Sequence, residues 1–195
     1  MSDKIITISR QFGSGGRTVA RKAADMLGIP CYDREIIQQI AEKSGFAEDY
    51  VSEQSEYMDD GGFFGSLGMY GPTTRIAIWT EQCRIIKELA DKGPCIIVGR
   101  CADYVLKEYH DDLLKCFIYA DMESRAHRIV SQYGESPEKP EKRLKDKDKR
   151  RAAYYEIYTD QNFGDPLNYD LCLNTGTLGI DDCAEIITQV YKNQD

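Results

Sequence analysis

The sequence lacks the cysteine pattern of a disulfide-stabilised or zinc-binding protein. Its seven cysteines are an odd number, and none of them is spaced as a CxxC pair. An odd count argues against a disulfide framework, and the missing pairs argue against a structural zinc site. We therefore expect reduced thiols that pack as small apolar side chains.

The sequence also lacks long apolar runs and an excess of positive charge. No run approaches the roughly eighteen apolar residues of a membrane span, and the first ten residues lack the pattern of a secretory signal. We therefore expect a cytoplasmic protein without a membrane partner. The net charge of −8 disfavours a nucleic acid polymer as partner, because such binding requires a basic face.

Short apolar strands alternate with amphipathic helices along the 195 residues. Strands are predicted at 5–8, 29–32, 95–98, 114–119 and 171–173, and helices at 19–27, after Asp33, near Ala47, and at 75–92, 122–133 and 181–191. Strands that are apolar on both faces are typical of a parallel sheet covered by helices on each side. The length fits one domain, so we predict a single doubly wound α/β domain over residues 1–195.

Two segments depart from this alternation. Residues 57–73 carry five glycines, which raise the entropic cost of ordering the backbone, and we predict a mobile loop there. Residues 133–151 contain Gly134, Pro137 and Pro140, followed by a dense mixture of Lys, Asp and Arg. This composition predicts a solvated flap.

The strongest local signal is QFGSGGRT, residues 11–18, which lies between the first strand and the first helix. In the pattern G-x-x-x-x-G-K-[ST], glycines let backbone N–H groups face phosphate oxygens at a helix N-terminus. Gly16 and Thr18 match this pattern, whereas Gln11 and Arg17 replace its first glycine and its lysine. An arginine in place of the lysine still supplies positive charge and can donate two parallel hydrogen bonds to phosphate oxygens. The alternative is a glycine-rich turn that binds no ligand.

Five blocks of the sequence resemble the cytidylate kinase-like family of P-loop nucleoside monophosphate kinases. They are IITISRQFGSGGRTVARKAADMLGIPCYD (5–33), IVGR (97–100), LKCFIYADMESRAHR (114–128), DKRRA (148–152) and YDLCLNTGTLGIDDCAEIITQV (169–190). Together they span nearly the whole chain in the expected order. The resemblance implies a P-loop NTPase three-layer sandwich with a central parallel sheet, helices on both faces and a helical lid near residues 133–151.

The resemblance also implies an activity, namely transfer of the γ-phosphoryl group of ATP to a nucleoside monophosphate. CMP or dCMP is the leading acceptor, and Mg²⁺ is the implied cofactor. The expected ATP phosphate-binding residues are Gly13, Ser14, Gly15, Gly16, Arg17 and Thr18. Thr18 would ligate Mg²⁺ together with the donor phosphates.

The expected acceptor site comprises Asp33, Arg100, Asp148 and Arg151. Arg100 follows an apolar strand, where open α/β sheets bind ligands, and the family's Gly-Arg contacts the acceptor phosphate. By register with the family's lid, Asp148 pairs with the cytosine edge and Arg151 holds phosphate. Asp33 could contact the acceptor, polarise the water shell of Mg²⁺ or cap the following helix.

Arginines are the expected catalytic residues, because phosphoryl transfer requires charge on the transferring group to be neutralised. They are Arg17, Arg100, Arg150 and Arg151, with Arg150 reaching the donor phosphates. Two alternatives stay open for them. Arg100 could be a surface arginine paired with a carboxylate, and the lid segment could be an exposed charged helix face.

Three positions depart from the ordinary family pattern. Cys101 stands where the family has an Asp after its Gly-Arg, and Asp103 is the nearby candidate to replace it. Gln39 and Leu144 stand where the ordinary enzyme has arginines. Two other functions therefore remain open: a phosphotransferase for another small acceptor, and a nucleotide-binding regulatory protein without turnover.

Overall fold

The computed structural model describes residues 4–45, 72–109 and 112–193. The helix predicted near Ala47 and residues 57–71 of the predicted mobile loop lie outside these ranges. The described strands are β1 (Ile5–Arg10), β2 (Cys31–Tyr32), β3 (Cys95–Val98), β4 (Leu113–Tyr119) and β5 (Leu171–Asn174). The described helices are α1 (Gly16–Leu27), α2 (Arg34–Ser44), α3 (Pro72–Ala90), α4 (Ala102–Val105), α5 (Met122–Ser131), α6 (Pro140–Thr159) and α7 (Ile180–Asn193).

The five strands form one parallel sheet in the order β2-β3-β1-β4-β5. Strand β1 is central, and Ile6 pairs with Ile96 of β3 on one side and with Leu114 of β4 on the other. The chain leaves β1 at the point where the strand order reverses, which is where such sheets bind ligands. The predicted doubly wound parallel sheet is confirmed.

Both faces of the sheet are buried under helices, which explains the apolar character of the strands. Because successive strand side chains point to opposite faces, Ile5 packs with residues of α2 and α3, whereas Ile6 packs with residues of α1 and α7. All six residues of β1 are buried. The resulting three layers place the end of β1, and the loop that follows it, at one edge of the sheet.

Helix α6 contains the charged segment that we predicted as a flap. Its first half packs on α5 through Leu144, which contacts Ile129, and its second half packs on α3 through aromatic side chains. Tyr158 stacks on Trp79 with ring centroids 4.3 Å apart, and Tyr154 lies 4.7 Å from Tyr158. The helix therefore extends past the predicted lid boundary at residue 151, because these tyrosines bind it to the rest of the fold.

None of the helices in the described ranges is both long enough and apolar enough to cross a bilayer.

Candidate active site

The predicted phosphate loop connects β1 to α1 at the carboxyl edge of the sheet. Gly13 and Gly15 adopt left-handed backbone angles, with φ of +76° and +81°. A Cβ atom at Gly15 would collide with Ile180 of α7, and one at Gly13 would lie 2.9 Å from Ile129 of α5. Both positions therefore require glycine for backbone conformation and for space.

Two side chains from distant elements hold the carbonyl groups of this loop. Arg128 Nη1 donates to the Gly13 carbonyl at 2.9 Å, and Thr175 Oγ1 donates to the Ser14 carbonyl at 2.6 Å. In a trans peptide the N–H of the next residue points opposite to the carbonyl, so the Gly15 N–H points away from Thr175. Together with the free amides that open any helix, the loop presents donors suited to an anion.

Arg17 and Asp33 meet beside the loop. Arg17 lies in the first turn of α1, is partly exposed, and places its Nε 2.9 Å from Asp33 Oδ2. The Asp33 carboxylate is buried, and its Oδ1 lies 4.0 Å from Arg10 Nη2. Asp33 occupies the position before α2, but its carboxylate is directed to these two arginines rather than to the amides of that helix. Thr18 follows Arg17 and is exposed.

Three buried arginines line one small cavity of about 20 Å³ next to the loop. They are Arg10 at the end of β1, Arg100 after β3 and Arg151 on α6. Arg100 is only 4% exposed, so the alternative of a surface arginine is wrong. Arg151 Nη1 donates to the Arg10 carbonyl at 3.0 Å, which joins α6 to the end of β1.

The turn that carries Arg100 has an unusual backbone. Gly99, Arg100 and Cys101 have φ of +72°, +60° and +54°, three consecutive residues in the left-handed region. This conformation costs roughly 1–2 kcal/mol for each non-glycine residue and is often found at functional sites. Gln82 Nε2 stabilises the turn by donating to the Arg100 carbonyl at 2.9 Å.

The lid residues are divided between the inner and outer sides of α6. Asp148 accepts a hydrogen bond of 2.7 Å from the Phe12 N–H and forms an ion pair with Arg125. Its carboxylate therefore lies against the loop. Arg151 faces the arginine cavity, as described above. Arg150 is exposed on the outer side of the helix.

Cys101 stands where the family has an Asp, and Asp103 is the nearby candidate to replace that Asp. Both residues are buried. Burial raises the pKa of the Cys101 thiol well above its usual value, which keeps the thiol neutral. Asp103 accepts from Tyr155 OH at 2.7 Å and from Ser9 Oγ at 3.4 Å, and burial raises its pKa as well. Within residues 4–45, 72–109 and 112–193, no three His, Cys, Asp or Glu side chains cluster as metal ligands.

A groove of about 350 Å³ lies beside the loop carbonyls. Its lining includes Ser124, His127 and Arg128 of α5, and Thr175 and Gly176 after β5. This volume lies within the range of small-molecule sites. A larger apolar groove of about 610 Å³ between α5 and α6 is lined by neither Arg128 nor Thr175, the two side chains that hold the loop carbonyls, so we assign the smaller groove to the site.

Sequence reasoning missed several of these contacts. Arg128 and Thr175 lie in blocks that resemble the family, but no local pattern indicates that they hold the loop carbonyls. Arg10 is the last residue of an apolar strand, and only the fold brings its side chain beside Arg100. These roles depend on contacts between residues far apart in sequence.

The family model described as the cytidylate kinase-like family matches residues 5–177. The chain belongs to this family. It is similar to the cytidylate kinase of Archaeoglobus fulgidus, with 30% identity over 96% of this chain and 94% of that relative. It is also similar to the cytidylate kinase of Methanopyrus kandleri, with 27% identity over 94% of this chain and 90% of that relative. As a member of the cytidylate kinase-like family, the chain is an enzyme of the nucleotide kinase class.

Solved structures agree with the cytidylate kinase-like assignment at the level of the fold. An uncharacterized protein from Eubacterium ventriosum superimposes with a TM-score of 0.74 at 26% identity, covering 97% of this chain and 98% of that one. Shikimate kinase from Acinetobacter baumannii superimposes with a TM-score of 0.56 at 17% identity, covering 98% and 94%. The predicted P-loop three-layer sandwich is confirmed.

The buried carboxyl of Asp103 predicts a specific pH dependence of stability. Because its pKa is raised in the folded state, the native protein binds the proton more tightly than the unfolded chain does. Its contribution to stability is therefore full below about pH 4, the pKa of an unfolded Asp, and is lost as the pH rises through the native pKa. We expect the unfolding free energy of the wild type minus that of Asp103→Asn to fall with rising pH and then level off.

Urea denaturation of both proteins between pH 4 and pH 8 measures this difference. A difference that increases with pH would mean that the folded protein stabilises the ionised Asp103 carboxylate.

Proposed function

We propose that the protein transfers the γ-phosphoryl group of ATP to a nucleoside monophosphate, with CMP or dCMP as the leading acceptor. The observation that carries the proposal is a glycine loop with its carbonyls held outward, next to a cavity lined by three arginines. The curated relatives named cytidylate kinases support the choice of acceptor. Expected residue roles follow from the geometry of the two parts of the site.

The donor side of the site is the loop and the groove beside it. The amides of Gly13, Gly15, Gly16 and Arg17 would surround the ATP phosphates. Those of Ser14 and Thr18, which donate to the carbonyls of Gln11 at 3.4 Å and Gly15 at 2.9 Å, would join them by exchanging these bonds for phosphate oxygens. The groove at Arg128 and Thr175 would take the nucleoside of ATP, since these two lining residues donate hydrogen bonds to the loop carbonyls. The Arg17 guanidinium would then exchange its contact with Asp33 for phosphate oxygens.

Mg²⁺ fits the donor side of the site. Thr18 places a hydroxyl at the exposed first turn of α1, directly after the loop amides. Mg²⁺ is typically held by one or two protein oxygens together with phosphates and water, so a cluster of carboxylates is not required. When bound, the ion neutralises charge on the donor phosphates. Asp33, near Arg17, could accept hydrogen bonds from its water shell.

The acceptor side of the site is the arginine cavity. Arg100 and Arg151 would hold the acceptor phosphate, because a planar guanidinium can donate two parallel hydrogen bonds to a pair of phosphate oxygens. The cavity volume of about 20 Å³ suits one water molecule, so a phosphate group requires α6 to move outward. The same movement would release Asp148 from Phe12 and Arg125, so that it can pair with the acceptor base.

In the proposed reaction, an oxygen of the acceptor phosphate attacks the γ-phosphorus of ATP. The bond from that phosphorus to the β–γ bridging oxygen breaks, and ADP leaves. Protein side chains position the two phosphates in line and neutralise charge on the transferring group. We assign this role to Arg17, Arg100 and Arg151. Arg150 lies on the outer side of α6, so its expected contact with the donor phosphates requires α6 to turn about its axis as it closes over both substrates.

A screen of ADP production tests the acceptor assignment. The purified protein, ATP and Mg²⁺ are incubated separately with CMP, dCMP, UMP, AMP and small phosphorylated metabolites. We expect the highest kcat/KM with CMP or dCMP. A higher value with another acceptor would contradict the proposed specificity, and tight ATP binding without consumption of any acceptor would support the regulatory alternative.

Arg17→Ala tests the donor side. Loss of a preorganised group that stabilises charge should lower kcat by at least about a hundredfold. Arg21→Ala, one turn further along α1 and exposed, is the matched control and should leave kcat unchanged. Turnover of Arg17→Ala close to that of the wild type would show that other groups neutralise the donor phosphates.

A further inference from the structure

Arg10 occupies the junction between the two halves of the site. It is the last residue of β1, directly before the loop, and is only 5% exposed. A Cβ atom at Gly16 of the loop would lie 2.7 Å from the Arg10 Cβ, and one at Gly99 would collide with the Arg10 guanidinium. The Arg10 side chain therefore runs from the phosphate loop to the turn that carries Arg100.

Arg10 lines the same cavity as Arg100 and Arg151. Its Nη2 lies 4.0 Å from Asp33 Oδ1, and Asp33 also contacts Arg17 on the donor side. Three buried arginines that line one cavity favour an anion there. A planar guanidinium can donate two parallel hydrogen bonds, which match a pair of phosphate oxygens.

We propose that Arg10 is a further acceptor-binding residue, which holds the phosphate of a phosphate monoester dianion together with Arg100 and Arg151. This inference rests on the proposed function. Because Arg10 lies between the loop and the Arg100 turn, it contacts the acceptor phosphate on the side that faces the donor. The competing explanation is a structural role, in which Arg10 only supports the Gly99 turn and neutralises Asp33.

The test replaces Arg10 and measures substrate binding separately for donor and acceptor. Arg10→Gln removes the charge, and Arg10→Lys keeps the charge but removes the fork. Calorimetric titration gives the dissociation constants of CMP and of ATP, and steady-state kinetics gives both KM values and kcat. We expect Arg10→Gln to weaken CMP binding and raise the CMP KM by about tenfold to a hundredfold, with ATP affinity within about twofold of wild type.

Lys4→Gln is the matched control. Lys4 is also a buried cation, adjoins the opposite end of the same strand, and donates to the Tyr191 carbonyl at 3.3 Å. Its replacement should lower the thermal midpoint without changing the CMP affinity. A structural role for Arg10 predicts the same result for Arg10→Gln, and that outcome would overturn the proposal.

Arg10→Lys covers the case in which Arg10→Gln does not fold. Arg100→Ala, which removes a neighbouring guanidinium of the same cavity, is the reference for weakened CMP binding. We expect Arg10→Lys to fold and to bind CMP with an affinity between those of the wild type and Arg100→Ala. Wild-type CMP affinity in Arg10→Lys would overturn the proposal. If the wild type phosphorylates CMP and the Arg10 variants bind CMP as tightly as the wild type does, only the role of Arg10 is rejected. A wild type that binds neither CMP nor dCMP rejects the role of Arg10 together with the proposed acceptor.

Discussion

The hydrogen bonds that Arg128 and Thr175 donate to the loop carbonyls determine the direction of the loop amides. Without them, a glycine-rich loop could turn its carbonyl oxygens toward a phosphate and repel it. The two donors come from α5 and from the segment after β5, so the site depends on helices and strands that follow the loop by more than a hundred residues. The fold must be complete before the loop has the geometry of an anion site.

The sheet topology brings the arginines of the small cavity to the same place. Because β1 lies beside β3, the ends of these strands put Arg10 and Arg100 on one cavity. The left-handed turn at Gly99, Arg100 and Cys101 then directs the backbone into the short helix α4. Helix α6 completes the cavity through Arg151, which donates to the Arg10 carbonyl. One turn later, Tyr155 of α6 donates a hydrogen bond to Asp103 of α4. The phosphate loop and the arginine cavity thus lie at one edge of the sheet.

Much of this arrangement follows from local sequence patterns. The strand, glycine loop and first helix were predictable, because β-branched residues, glycines and helical spacing follow one another within residues 5–27. The burial of Arg100 fits its position directly after an apolar strand. The contacts of Asp148 with Phe12 and Arg125 were not predictable, because they depend on how α6 lies on α5. Arg10 was missed for a similar reason, since a charged residue that ends a strand has no distinctive pattern.

A crystal structure with a non-hydrolysable ATP analogue and Mg²⁺ tests the central claim most directly. The account predicts phosphate oxygens within about 3.2 Å of the backbone nitrogens of Gly15, Gly16 and Arg17, with Arg128 and Thr175 still bound to the loop carbonyls. A triphosphate bound elsewhere on the protein, or loop carbonyls facing it, would contradict the account.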